Sequence, residues 1–309
     1  SMRAVGLGYH NVGCAGLDVL VESGDEVVAV YTHPDDPGEE IWFDSVAERA
    51  GRYGLGVHRP EEINRPEWVA RIRDQAPDII FSFYYRRMVS DEILAIPRLG
   101  AMNLHGSYLP RYRGRCPVNW VLINGETETG VTLHYMVRKP DAGDIVIQRP
   151  VPIEHDDTAL TLHAKIAREG ASILRDALPA IREGVNPRIP QDLESGSYFG
   201  GRRPEDGRID WNRPANEVHN LVCGVTHPYP GAFSMVGDTR LTVWSSKPVP
   251  ARPSDAAIPG RVHLEGGGLS VEAASGRLEI LRCQLDGQPE MDAARFVARQ
   301  LVSPGTILR

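Results

Sequence analysis

Residues 1–185 alternate between short apolar runs and helical patterns, and this alternation constrains the fold more than any other feature. Residues 4–7, 27–32, 79–84, 101–104 and 131–136 read as strands, and helical spacing recurs near 17–22, 43–51, 67–74 and 91–96. Strands and helices in turn predict an α/β fold, a Rossmann-like, mainly parallel sheet with helices on both faces. Ligands bind such sheets outside the carboxyl ends of the strands. Asn103 and His105 stand at the end of one predicted strand and Asp141 follows another. The pattern therefore predicts that all three meet at one edge.

The longest helical pattern runs over 157–183, with Asp157 as the expected N-cap. Gly170 inside it costs about 1 kcal/mol relative to alanine. Residues 1–190 are read as the N-terminal catalytic domain and 191–205 as a linker, within a stretch over 185–210 rich in Gly, Pro, Arg and Asp. One helical pattern over 215–225 is followed by short strands at 232–236, 241–245, 260–264, 269–273 and 278–281, with turn residues between them. Residues 206–309 are thus predicted to form a small OB-like β-barrel domain. Residues 247–253 read as a proline-rich loop.

The stretch Met102-Asn103-Leu104-His105-Gly106-Ser107-Tyr108-Leu109-Pro110-Arg111-Tyr112-Arg113-Gly114, with Asp141-Ala142-Gly143-Asp144 beyond it, carries the chemistry. An amide can hydrogen-bond an oxygen that gains negative charge. An imidazole can move protons near neutral pH, and a carboxylate can orient that imidazole and favour its charged form. Such a set suits acyl transfer. Ser107 is expected to support its loop, since no serine-elbow pattern surrounds it. Cys116 reads as a packing residue and His134 as a hydrogen-bonded core histidine. Gly6-Leu7-Gly8-Tyr9-His10-Asn11-Val12-Gly13 fails the dinucleotide pattern because Asn11 holds the third glycine position. Its glycines are expected to allow a tight strand-to-helix turn.

The 309 residues carry a net charge of −7, which gives no general drive toward nucleic acid, although Arg111, Arg113 and Arg115 form a local basic patch. Four widely spaced cysteines argue against a disulfide framework and fit a reducing cytoplasm. No apolar run approaches the roughly twenty residues of a membrane span. Because the chain runs straight into a strand-like segment, no secretory signal is expected, and Ser1 before Met2 reads as a tag remnant.

The combination Asn103-x-His105, Ser107-x-Leu109-Pro110-x-Tyr112-Arg113-Gly114 and Asp141-x-Gly143-Asp144 closely resembles the folate-dependent formyltransferases. Within that family, residues 81–86, 119–134, 228–234 and 241–246 are similar to the formyltransferase half of bifunctional enzymes that act on UDP-4-amino-4-deoxy-L-arabinose in lipid A modification and polymyxin resistance. Those enzymes continue into a decarboxylating dehydrogenase domain, so a stand-alone version or a cut piece is expected here.

The resemblance implies 10-formyltetrahydrofolate as cosubstrate, no metal, and the sugar's 4-amine as acceptor. It implies His105 as general acid/base, Asn103 as oxyanion stabiliser and Asp141 as the group that raises the pKa of His105. It places the donor along Arg87, Met88 and Val89, near Arg115, and against Val137, Arg138, Lys139, Pro140 and Asp141. The family often has a histidine where Arg87 stands, so a main-chain contact there is the part that carries over. A homo-oligomer is allowed, and neither nucleic acid nor membrane insertion is expected. Methionyl-tRNA formyltransferase shares the signature but usually shows Arg-Gly-Ala-Ala-Pro where this chain has Arg113-Gly114-Arg115-Cys116-Pro117. A dinucleotide-dependent oxidoreductase conflicts with the glycine pattern, and a non-catalytic binding module conflicts with the intact Asn103, His105 and Asp141.

Overall fold

A computed structural model describes residues 1–251 and 256–309. The chain divides into two compact units, one of residues 1–117, 128–153 and 163–200, the other of 118–127, 154–162 and 201–309. In chain order the elements begin with β1 (Arg3–Gly8), α1 (His10–Glu22), β2 (Glu26–Tyr31), α2 (Val46–Arg52), β3 (Val57–His58), α3 (Pro66–Gln75), β4 (Ile79–Phe83) and α4 (Asp91–Leu94). They continue with β5 (Ala101–His105), β6 (Arg113–Gly114), α5 (Pro117–Ile123), β7 (Glu128–Tyr135), β8 (Ile145–Pro152), α6 (Ala159–Glu183) and β9 (Tyr198–Phe199).

The main sheet has the order β3-β2-β1-β4-β5-β7-β8. The pairs from β3 to β5 are parallel, and β5-β7 and β7-β8 are antiparallel. This is the mainly parallel α/β sheet that the alternation predicts. β8 has no counterpart in the predicted strands. Its Pro150 and Pro152 weaken a strand signal, and an edge position is where a sheet tolerates proline. One apolar cluster on this sheet includes Val5, Leu7, Tyr31, Ile72, Ile80 and Val89.

Glycine lets α1 lie close to the sheet. A Cβ on Gly16 would come within 2.5 Å of the Phe83 ring, and one on Gly13 within 2.7 Å of Val46. The left-handed residue at the strand-to-helix turn is His10 (φ 68°), not a glycine. The glycines here serve close packing rather than the turn itself. α6 runs unbroken past Gly170, where a Cβ would sit 3.5 Å from Leu104. Its start is capped by Thr158, whose Oγ1 accepts from the Thr161 amide at 3.4 Å. Asp157, the expected cap, instead accepts from the Glu154 amide and the Thr161 hydroxyl.

Within 191–205, expected as a linker, β9 pairs in parallel with β6 and residues 193–195 form a 3-10 turn. The second unit adds α7 (Ala215–Val225), β10 (Ala232–Val236), β11 (Thr239–Val249), β12 (Val262–His263), β13 (Leu269–Glu272), β14 (Arg277–Leu285), β15 (Met291–Asp292) and α8 (Ala293–Ala298). Its OB-like curled antiparallel sheet follows the order β10-β11-β14-β13-β12, with β15 on β14. Trp211, Val222, Val243, Ile280 and Phe296 lie in its core. Of the expected loop 247–253, residues 247–249 belong to β11 and residues 252 and 253 lie outside the described residues. Among the described residues no helix is long and apolar enough to cross a membrane.

A buried ring cluster in the first unit makes stability depend on pH. His10 stacks on Phe43 at 4.2 Å and on His163 at 5.0 Å between centroids. Burial pushes His10 down to about 3, with the charges of His163 and Arg86 adding to it, and pushes His163 down to about 4. A histidine whose folded pKa lies below its unfolded value binds fewer protons when folded. Stability is then retained above about pH 6.5, the unfolded value, and is lost as pH falls toward 4. Urea midpoints should drop between pH 7.5 and pH 5, and His163→Phe should shrink that drop. An equal drop in the variant would remove His163 from the account.

Candidate active site

Asn103 and His105 are alternate residues of β5, so their side chains leave the same face of the sheet. Asn103 pairs across the ladder with His134 on β7. Their side chains meet on that face, Asn103 Nδ2 lying 3.2 Å from His134 Nε2.

The antiparallel course of β7 changes the expected route of Asp141. The end of β7 lies beside the start of β5, where the Met136 amide donates to the Ala101 carbonyl at 2.8 Å. Asp141 therefore does not reach the site from the carboxyl rim of a parallel strand. The segment from 136 to 144 leaves at the other end and folds back, so the three residues meet over one face of the sheet. This corrects the shared-edge expectation, although the grouping itself is present. Gln191 Nε2 donates to the carbonyls of Asp141 and Gly143 at 2.9 and 2.7 Å and holds the loop. Gly143 lies so close to β7 that a Cβ there would fall 1.8 Å from the Tyr135 carbonyl oxygen. This contact accounts for the glycine of the Asp-x-Gly-Asp signature.

Asp141 is itself left-handed (φ 57°), and its carboxylate serves two segments. Oδ2 accepts from the Gly114 amide at 2.8 Å, and Oδ1 lies 3.4 Å from His105 Nδ1. The other ring nitrogen of His105, Nε2, lies 2.8 Å from the Tyr112 carbonyl. Ser107 is fully buried, and its hydroxyl donates to the Arg111 carbonyl at 2.7 Å, a loop-supporting role. Tyr84, Tyr112 and Cys116 are also left-handed. Non-glycine residues in that region cost of order 1 kcal/mol each, and such strain concentrates at functional sites.

His134 does more than satisfy the core. Its Nδ1 lies 2.9 Å from the Tyr135 carbonyl, which can only accept, so Nδ1 carries the proton. Burial pushes its pKa down to about 4 against the pull of the Asp141 charge. The ring is thus neutral at pH 7, and Nε2 accepts from the Asn103 amide. This contact fixes which way the amide points and leaves its second N–H for another acceptor. Cross-strand pairing was the signal that could have found it, but the register of an antiparallel pair is not visible in one strand alone.

The residues expected along the donor are placed unevenly. Val89 is buried in the core cluster against which Met136 packs, so its side chain is committed to packing. The Met88 carbonyl accepts from Asn64 Nδ2 at 2.8 Å while its side chain is 57 % exposed. Arg87 and Arg115 are exposed, as are Val137, Arg138, Lys139 and Pro140. Exposed apolar and cationic side chains thus flank both loops that border one apolar cluster.

Residues 14–178 match the family described as formyl transferase, and residues 202–301 match the formyl transferase C-terminal domain. The chain belongs to the formyl transferase family. It is also similar to many solved structures, among them the following. An N-formyltransferase from Helicobacter canadensis, in complex with folinic acid and dTDP-3-aminofucose, shares 20 % identity at a TM-score of 0.70 over 91 % of this chain and 99 % of that one. The sugar 3N-formyl transferase WlaRD, with dTDP and 5-N-formyl-THF, shares 20 % identity at a TM-score of 0.69 over 93 % and 99 %. HypX from Aquifex aeolicus, in complex with tetrahydrofolic acid, shares 17 % identity at a TM-score of 0.63 over 98 % of this chain and 48 % of that one.

If His134 orients Asn103, replacing it with an apolar residue of similar size should cost one oriented hydrogen bond. His134→Leu should lower turnover at least about tenfold with the melting temperature kept within a few degrees. A wild-type rate in the folded variant would show that Asn103 needs no such support.

Proposed function

We propose that this protein transfers a formyl group from 10-formyltetrahydrofolate to the amine of a nucleotide-linked amino sugar, with the 4-amine of UDP-4-amino-4-deoxy-L-arabinose as the acceptor that the sequence resemblance favours. The convergence of Asn103, His105 and Asp141 over one sheet face carries this reading. Family membership supplies the reaction class. Two structures of the same fold whose ligands are a formylated folate and a thymidine nucleotide or nucleotide sugar support the acceptor class.

When bound, the donor supplies an already activated formyl carbon, so the protein needs no covalent nucleophile. The free N–H of Asn103 hydrogen-bonds the formyl oxygen as it gains negative charge, a contribution typically worth about 3–4 kcal/mol. With its ring proton on Nδ1 beside Asp141, His105 frees Nε2 from the Tyr112 carbonyl, takes a proton there from the attacking amine and passes it to the departing folate nitrogen. Asp141 holds the imidazole and stabilises the charge that develops on it. Met88 and Val137 offer apolar surface to the pterin and benzoyl rings, and Arg87, Arg115, Arg138 and Lys139 match the anionic tail of a folate.

Supplied with 10-formyltetrahydrofolate, the protein should formylate UDP-4-amino-4-deoxy-L-arabinose and leave charged initiator tRNA unmodified. Turnover of the tRNA alone would overturn the acceptor assignment in favour of methionyl-tRNA formyltransferase. His105→Ala and Asn103→Ala should each lower turnover at least ~100-fold with the fold intact. Near-normal rates in both would remove the mechanism.

A further inference from the structure

Arg113 is a buried cation without a counter-charge. It is 9 % exposed, and its Nε makes no hydrogen bond. Among the described residues no carboxylate lies within ion-pair distance of its guanidinium, and no aromatic ring lies under it. The terminal nitrogens, unlike Nε, are not sealed from solvent. The guanidinium is therefore buried at Nε and keeps solvent contact only at its terminal nitrogens.

A guanidinium cannot relieve burial by giving up its proton, as His10 and His134 do. Burying such a charge unpaired is strongly unfavourable unless an anion arrives to match it. The position of Arg113 indicates which anion. The carbonyl before it, on Tyr112, holds His105 at 2.8 Å, and the amide after it, on Gly114, holds Asp141 at 2.8 Å. The backbone of Arg113 is thus held beside His105 and Asp141 from both sides.

We infer that Arg113 is the cation that receives the diphosphate of the acceptor. This rests on the nucleotide-linked amino sugar proposed above. In such a molecule one sugar ring separates the reacting amine from the first phosphate, which suits a cation next to the catalytic residues. The carboxylates of a folate lie farther from its reacting nitrogen, beyond the benzoyl group. A guanidinium fork also matches phosphate oxygens two at a time, whereas lysine offers a single point of charge.

The test is equilibrium binding of UDP, with 5-formyltetrahydrofolate as the control ligand, to wild type, Arg113→Met and Arg113→Lys. Arg113→Met should weaken UDP at least tenfold, leave the folate affinity within about twofold, and melt no lower than wild type without ligand because an uncompensated charge has gone. Arg113→Lys should fall between the two. Equal UDP affinity in a folded Arg113→Met overturns the proposal, as does a loss of folate affinity in place of UDP. Should Arg113→Met fail to fold, UDP affinity in Arg113→Lys equal to wild type overturns it. Failure of wild type to bind any nucleoside diphosphate would sink the acceptor class as well, which separates the two readings.

Discussion

The site depends on where one carboxylate is held. Asp141 stands in a left-handed conformation at the end of a loop that folds back from the far end of β7, and its two oxygens address His105 and the Gly114 amide. Gln191 fixes the loop through two carbonyls, and Gly143 lets it press against β7. Without that placement His105 would keep its strand and lose its partner. The segment carrying Arg113 would also lose an anchor, since Gly114 is left-handed (φ 101°) and lies where a Cβ would come within 2.1 Å of the Phe199 carbonyl. Glycine at 114 and at 143 is therefore a steric requirement of the site.

Much of this was legible in the chain, for identifiable reasons. The apolar runs of β1, β2, β4, β5 and β7 contrast with polar flanks, so their period marks them. The Asn-x-His spacing on a strand dictates a shared face whatever the strand's neighbours. Strand direction was not legible. Nothing local in residues 131–136 says that β7 runs against β5, so the path of Asp141 was misread although its destination was not. β8 was hidden by its prolines. The role of His134 depends on its pairing opposite Asn103, a fact of register between strands. The cap of α6 went to Thr158 because Asp157 is engaged with Glu154 and Thr161.

Burial of polar groups has different consequences across the first unit. The imidazoles of His10, His134 and His163 lose charge, and for His134 that neutrality makes Nε2 an acceptor for Asn103. Arg113 is buried with an unpartnered Nε, and an arriving anion would match its charge. Neutral rings that orient an amide and a fixed cation that attracts a phosphate are two outcomes of the same desolvation cost. Together they give the proposed site an oriented amide beside an imidazole and a buried cation.

The most direct measurement is the single-turnover rate of formyl transfer in Asp141→Asn, with folate binding measured alongside. Asparagine keeps an oxygen for the Gly114 amide and removes the charge beside His105. The account predicts a rate lowered by about 100-fold or more with folate affinity and melting temperature near wild type. A rate within a few-fold of wild type would contradict the claim that this carboxylate organises the chemistry.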